Sequence, residues 1–144
     1  PPRSTLFPYT TLFRSEISSE SLSYNKKAEA SSNPNPRWNG IESITNGDWV
    51  SHSWRPDKND KTPWAEIDLG QPQKISKAII YEHGESVTAF EIQYQSGTTW
   101  KKVYSGQKIG SKAEVILPKF TAQKVRLVLT GYSQAPEIYE IVLL

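Results

Sequence analysis

The 144-residue chain contains no cysteine, no methionine and two histidines, His52 and His83, which excludes disulfides, thiolate metal sites, a cysteine nucleophile and a histidine-rich catalytic metal centre. The formal charge is +2, and apart from Arg3 and Arg14 the chain carries 15 basic and 15 acidic residues, so the basic excess that nucleic-acid binding uses is missing. No apolar run approaches the ~18 residues of a membrane-spanning helix, while five Trp and seven Tyr supply enough apolar surface for one compact core.

The opening stretch, residues 1–15, shows neither a helical stripe nor an alternation, and three Pro punctuate it. Thr5–Pro8 and Tyr9–Ser15 read as the translation of a common sequencing-library adaptor; a natural linker is the alternative. The fold argument therefore begins at residue 16, with one domain expected over 16–144. From about Ile17 the chain changes to short runs of period two. Gly40–Asn46 has room for one helical turn, inside a Pro34–Pro63 stretch that is poor in aliphatic residues and holds Trp38, Trp49 and Trp54. A connection of that length in a compact domain tends to be functional. Seven strand-like runs are spread along the chain, at Trp64–Gly70, Ile75–Tyr81, Phe90–Tyr94, Trp100–Tyr104, Ala113–Leu117, Lys124–Leu129 and Ile138–Leu144. Turn residues such as Gly70-Gln-Pro72, Ser96-Gly97 and Ser105-Gly106 separate several of them. Many short strands and no sustained helical stripe predict an all-β sandwich or jelly roll.

The ordered series Asn46-Gly47-Asp48, Ser53-Trp54, Trp64-Ala-Glu-Ile-Asp-Leu-Gly70 and Ile75–Ile80 resembles the discoidin-type domain (factor V/VIII C-type, galactose-binding-like). The likeness continues through Ala89–Gly97, Trp100–Tyr104, Lys124–Leu127 and Ile138–Ile141, so it covers roughly residues 22–144. It is similar in its second half to modules appended to bacterial glycoside hydrolases. The resemblance implies a jelly-roll β-sandwich of about eight strands, with binding loops at one end and, in many members, a structural calcium ion. It also implies a bacterial secreted, periplasmic or cell-surface setting, and a catalytic domain of a parent enzyme as neighbour.

The calcium positions that the resemblance carries over are the Ser43 carbonyl, Asn46, Asp48, Ser51 and the Tyr139-Glu140 pair. Asn46 stands where the family more often has Asp, which removes one negative charge from the set and weakens it for calcium. The competing reading is an Asx turn at Asn46–Asp48, with Glu140 hydrogen-bonded nearby and no ion. Sugar recognition needs an apolar platform and a few fixed polar groups. Trp38, His52, Arg55, His83 and Tyr132 have that chemistry and are the candidate ligand-binding residues. For each there is a plainer alternative: Trp38 plugging the long loop, His52 and His83 as solvated loop histidines, Arg55 paired with Asp57 or Asp60. Trp54 and Trp64 match positions buried in the family, Arg126 and Asp68 match a buried ion pair, and the pattern does not place Trp49. No catalytic residue emerges, because Glu66 and Asp68 lie in a strand motif known as structural. Two functions are carried forward. One is a non-catalytic carbohydrate-binding module for glycans ending in galactose, fucose or rhamnose-like sugars. The other is a structural sandwich packed on a catalytic domain without binding sugar. An exposed Trp38 over a concave loop surface favours the first, and an apolar patch spread over a sheet face the second.

Overall fold

The computed structural model describes residues 20–144; the leader reading for residues 1–15 lies outside them. Regular structure is almost entirely strand: β1 (Lys27–Ala30), β2 (Trp64–His83), β3 (Val87–Ser96), β4 (Thr99–Gly106), β5 (Ala113–Tyr132) and β6 (Glu137–Leu143). One 3₁₀ turn at Ile41–Thr45 occupies the place expected for a helical turn. The all-β expectation holds, with six continuous strands among the described residues in place of about eight. The count falls because runs read separately are continuous. Trp64–Gly70 and Ile75–Tyr81 are both in β2, and Ala113–Leu117 and Lys124–Leu129 are both in β5.

Each long strand contributes to two layers. The first half of β2 pairs with β1 and with the second half of β5, which goes on to β3 and then β4. The second half of β2 pairs with β6 and with the first half of β5. Between the halves of β2 the register shifts from Asp68 to Gln73, and Gly70 sits there at φ +85°. Glycine enters that region without a Cβ penalty, and Asp68 Oδ1 accepts the Gly70 N–H at 2.9 Å. The predicted alternation is obeyed: Ala65, Ile67 and Leu69 are buried. In the interior Ile67, Ile92 and Leu127 from one layer meet Ile80, Ile141 and Leu143 from the other. Each such side chain taken out of water contributes about 1.5–3 kcal/mol.

The expected Arg126–Asp68 pair is not formed. Arg126 stands opposite Glu66 in the β2–β5 register, whereas Asp68 stands opposite Lys124. Arg126 Nε accordingly donates to Glu66 Oε1 at 3.0 Å, and Asp68 Oδ1 accepts from Gln123 Nε2 at 3.0 Å. The Arg126 guanidinium lies 3.8 Å from the Trp64 ring centroid and 3.9 Å from that of Trp100. Trp64 is therefore half-buried against a cation rather than inside the core, while Trp54 is fully buried.

Trp54 also explains how the long loop is held. Its backbone makes an isolated antiparallel bridge to Ile138, with N–H···O distances of 2.7 and 2.9 Å, and its indole N–H donates to the Ser32 carbonyl at 3.0 Å. Trp49 stacks on Tyr81 with 5.3 Å between ring centroids, beside Val142. The loop is thus fastened by two buried or half-buried indoles, and the segments between the fastenings are left to carry polar side chains.

Candidate functional site

The bridge from Trp54 to Ile138 brings the middle of the long loop against the connection between β5 and β6. A groove of about 640 Å³ opens there, lined among others by Pro34, Arg55, Pro56, Lys58, Tyr132 and Gln134. Arg55 follows the buried Trp54 and is exposed. Its Nη2 lies 3.1 Å from Glu137 Oε1, which also accepts from Ser53 Oγ at 2.9 Å. Glu137 is therefore the partner in place of Asp57 or Asp60. Asp60 Oδ2 instead takes the hydroxyls of Ser31 and Ser32, and Asp57 Oδ1 takes the Asn59 N–H at 2.8 Å. Tyr132 ends β5 half-buried, with its hydroxyl donating to the Asp60 carbonyl at 3.0 Å. The groove thus joins an aromatic wall and three prolines, Pro136 being the third, to an oriented guanidinium and an ammonium, the mixture that small polar ligands with one apolar face require.

Trp38 and His52 come together elsewhere, in a second depression. With Pro36, Arg37, Glu42 and Asn46 they line a shallower cleft of about 240 Å³. Trp38 is 67% exposed. His52 is exposed too, with Nδ1 3.1 Å from Ser51 Oγ and 3.4 Å from Asp48 Oδ2. His83, at the end of β2, lines neither depression. Its Nδ1 is 2.8 Å from the Tyr139 hydroxyl, and the two rings meet edge to face. The five candidate ligand residues therefore fall into two neighbouring pairs and one residue apart.

The positions carried over for calcium gather around the turn after the 3₁₀ segment. Asn46 Oδ1 accepts the Asp48 N–H at 2.8 Å, which is an Asx turn. Asp48 Oδ1 accepts the N–H groups of Val50 and Ser51, each at 3.2 Å, and Oδ2 takes the Ser51 hydroxyl. Partial burial pushes the Asp48 carboxyl up, but these hydrogen bonds outweigh it and hold the group below its ordinary value. The Ser43 carbonyl accepts the Asn46 N–H at 3.4 Å. Glu140 is fully buried beneath the turn. Its Oε2 accepts the Gly47 N–H at 3.0 Å, and its Oε1 has no hydrogen-bond partner. Burial, with a smaller contribution from the Asp48 charge and against the Gly47 hydrogen bond, pushes its pKa up to about 9. An orphaned buried carboxylate oxygen under a turn that carries amide and hydroxyl oxygens is chemistry that a hard cation accepts, although no cluster of three or more His, Asp or Glu side chains forms among the described residues. Tyr139 directs its hydroxyl to His83, so its side chain is engaged outside this set.

Sequence reasoning did not single out Pro34, Lys58, Gln134 or Glu137. The first two lie inside the Pro34–Pro63 stretch already marked as unusual. Gln134 and Glu137 follow Tyr132 closely, and only the Trp54–Ile138 bridge reveals that their segment faces Arg55.

Residues 27–142 match the model of the F5/8 type C domain family. Among solved structures, SpGH29 is 25% identical with a TM-score of 0.78; the match covers 92% of this chain and 29% of that one. Chitosan-binding module 2 of a chitosanase/glucanase from Paenibacillus sp. IK-5, in complex with chitotriose, is 24% identical with a TM-score of 0.76, covering 85% and 98% of the two chains. The family 32 carbohydrate-binding module of Streptococcus pneumoniae EndoD is 16% identical with a TM-score of 0.71, covering 87% and 99%. Comparison with curated protein sequences gave no match.

Proposed function

The chain belongs to the F5/8 type C domain family, and from that premise we propose that it is a non-catalytic carbohydrate-binding module whose ligand lies in the groove between Arg55 and Tyr132. The groove itself carries the reading: it encloses about 640 Å³ and pairs an aromatic wall with a guanidinium oriented by Glu137. Tyr132 offers a face to the C–H side of a pyranose. Arg55 and Lys58 donate to ring hydroxyls, and Glu137 orients the guanidinium. The sugars it takes are terminal galactose, fucose or rhamnose-like residues. Single-sugar affinity is weak, because few ligand atoms are buried. The exposure of Trp38 over a concave surface favours this reading over a purely structural sandwich.

The module sits beside the catalytic domain of a parent glycoside hydrolase, in a secreted, periplasmic or cell-surface setting. Support for the neighbour comes from SpGH29, of whose chain the match covers less than a third. Among the described residues no helix is long and apolar enough to cross a membrane. The Ser43 carbonyl, Asn46, Asp48, Ser51 and Glu140 would hold calcium in this reading, and the ion would neutralise the charge of Glu140.

A glycan array probed with the 144-residue chain, with Arg55→Ala and with Tyr132→Ala tests the groove. Binding by the parent chain that falls at least tenfold in both variants is the expected result. A blank array from folded protein would overturn the proposal in favour of the structural sandwich.

A further inference from the structure

The fold gives a use to four of the five Trp. Trp54 fills the core, Trp49 stacks on Tyr81, and Trp64 and Trp100 enclose Arg126. Trp38 alone stands two-thirds in solvent. The turn that carries it is nevertheless well made. The Asn35 carbonyl accepts the N–H groups of both Trp38 (3.2 Å) and Asn39 (2.8 Å), and Asn33 Oδ1 accepts that of Ile41 at 3.2 Å. A Cβ on Gly40 would stand 2.4 Å from the Pro36 carbonyl oxygen, so the chain closes there in a way only glycine permits. A tight turn that presents an indole to water is arranged to meet a ligand, because the backbone has been ordered before binding.

Arg37, Glu42 and His52 border the same cleft. Ser51 and Asp48 engage His52 Nδ1, which leaves Nε2 as the ring nitrogen for a ligand. Charges of both signs around one aromatic face suit a hydroxylated ring better than a lipid surface. The cleft also lies close to the groove along the chain. Pro34 lines the groove and Pro36 the cleft, two residues and at most about 7 Å of chain apart. The Arg55 N–H donates to the Asn39 carbonyl at 3.3 Å, tying the groove's cation to the Trp38 turn.

We infer that the Trp38 cleft is a second sugar subsite, close to the groove but distinct from it, and that the domain therefore selects an oligosaccharide long enough to reach both. This rests on the groove being a sugar site. The two pockets bind successive residues of one glycan, the groove taking its terminal residue and Trp38 stacking on one further along.

The test is an array of mono-, di-, tri- and tetrasaccharides of each sugar, probed with the 144-residue chain and with Trp38→Ala. Titration of ¹⁵N-labelled protein with the best array ligand and its monosaccharide follows. The parent chain should bind the longer members more tightly. Trp38→Ala should bind them about three- to tenfold more weakly, the range one aromatic stack supplies, while keeping its monosaccharide affinity. The Trp38 indole N–H signal should move with the oligosaccharide and stay still with the monosaccharide. Equal binding of long and short members, or an unchanged profile for Trp38→Ala, would overturn the subsite while leaving the groove standing. A parent chain that binds no member would overturn both.

Discussion

Glu140 gives the sharpest prediction, because the fold buries it completely and satisfies only one of its oxygens. Its ordinary pKa is 4.5, and burial raises it to about 9 in the folded, calcium-free chain. Below pH 4.5 both folded and unfolded forms are protonated and the group has no effect on the pH slope. Between 4.5 and 9 the unfolded chain has released a proton that the folded chain keeps, so stability falls as pH rises. The slope is about 1.4 kcal/mol per pH unit, and from pH 5 to pH 8 the loss is about 4 kcal/mol. That is a large part of the 5–15 kcal/mol typical of a domain. Glu140→Gln cannot ionise, and its amide oxygen can still accept the Gly47 N–H. Urea unfolding of both proteins in EDTA at pH 5, 6, 7 and 8 should therefore show the parent chain losing stability relative to the variant at each step. Calcium should restore the parent chain at pH 8, by about 2.7 kcal/mol at a hundred times its dissociation constant, and should do little for Glu140→Gln. A difference between the two proteins that stays constant from pH 5 to pH 8 would refute the burial argument. Failure of calcium alone would remove the ion and leave the argument intact.

Two further substitutions test the scaffold. Arg126→Lys keeps a charge near Glu66 but loses the planar group between Trp64 and Trp100, and should cost about 1–3 kcal/mol in urea unfolding; an unchanged midpoint would mean the stack contributes nothing. Gly40→Ala forces a methyl toward the Pro36 carbonyl and should cost about 1–3 kcal/mol, with a changed near-ultraviolet circular dichroism signal as the Trp38 turn shifts. A parent-like melt and spectrum would show that the turn is not rigid.

Much of the scaffold was legible because period two is a strong signal. Ala65, Ile67 and Leu69 had to share a face, and they do. What alternation cannot report is continuity. It marked a break at Gly70-Gln-Pro72, where the chain only shifts register and continues as β2. Nor can it choose between two acids on one strand face. Glu66 and Asp68 are equivalent to the pattern, and only the β2–β5 register decides that Arg126 meets Glu66. Trp49 escaped for a related reason: its partner Tyr81 ends a run of nearly continuous apolar residues, and such a run does not say which loop residue will cover it.

The candidate ligand residues show the same limit at a larger scale. Their chemistry could be read one residue at a time, but grouping them needs to know which loops face each other. One contact settles that for the groove. Burying Trp54 against Ile138 sets the next residue, Arg55, beside Glu137 and opposite the segment that begins at Tyr132. The same anchoring bonds the Arg55 N–H to the Asn39 carbonyl, at the end of the turn that carries Trp38. Trp38 and His52 line the cleft, and Arg55 and Tyr132 line the groove. A reading that gathers all four into one pocket predicts that removing Trp38 abolishes binding of every sugar, whereas two depressions predict that a monosaccharide is still held. Monosaccharide affinity of Trp38→Ala is thus the quantity that separates the two geometries.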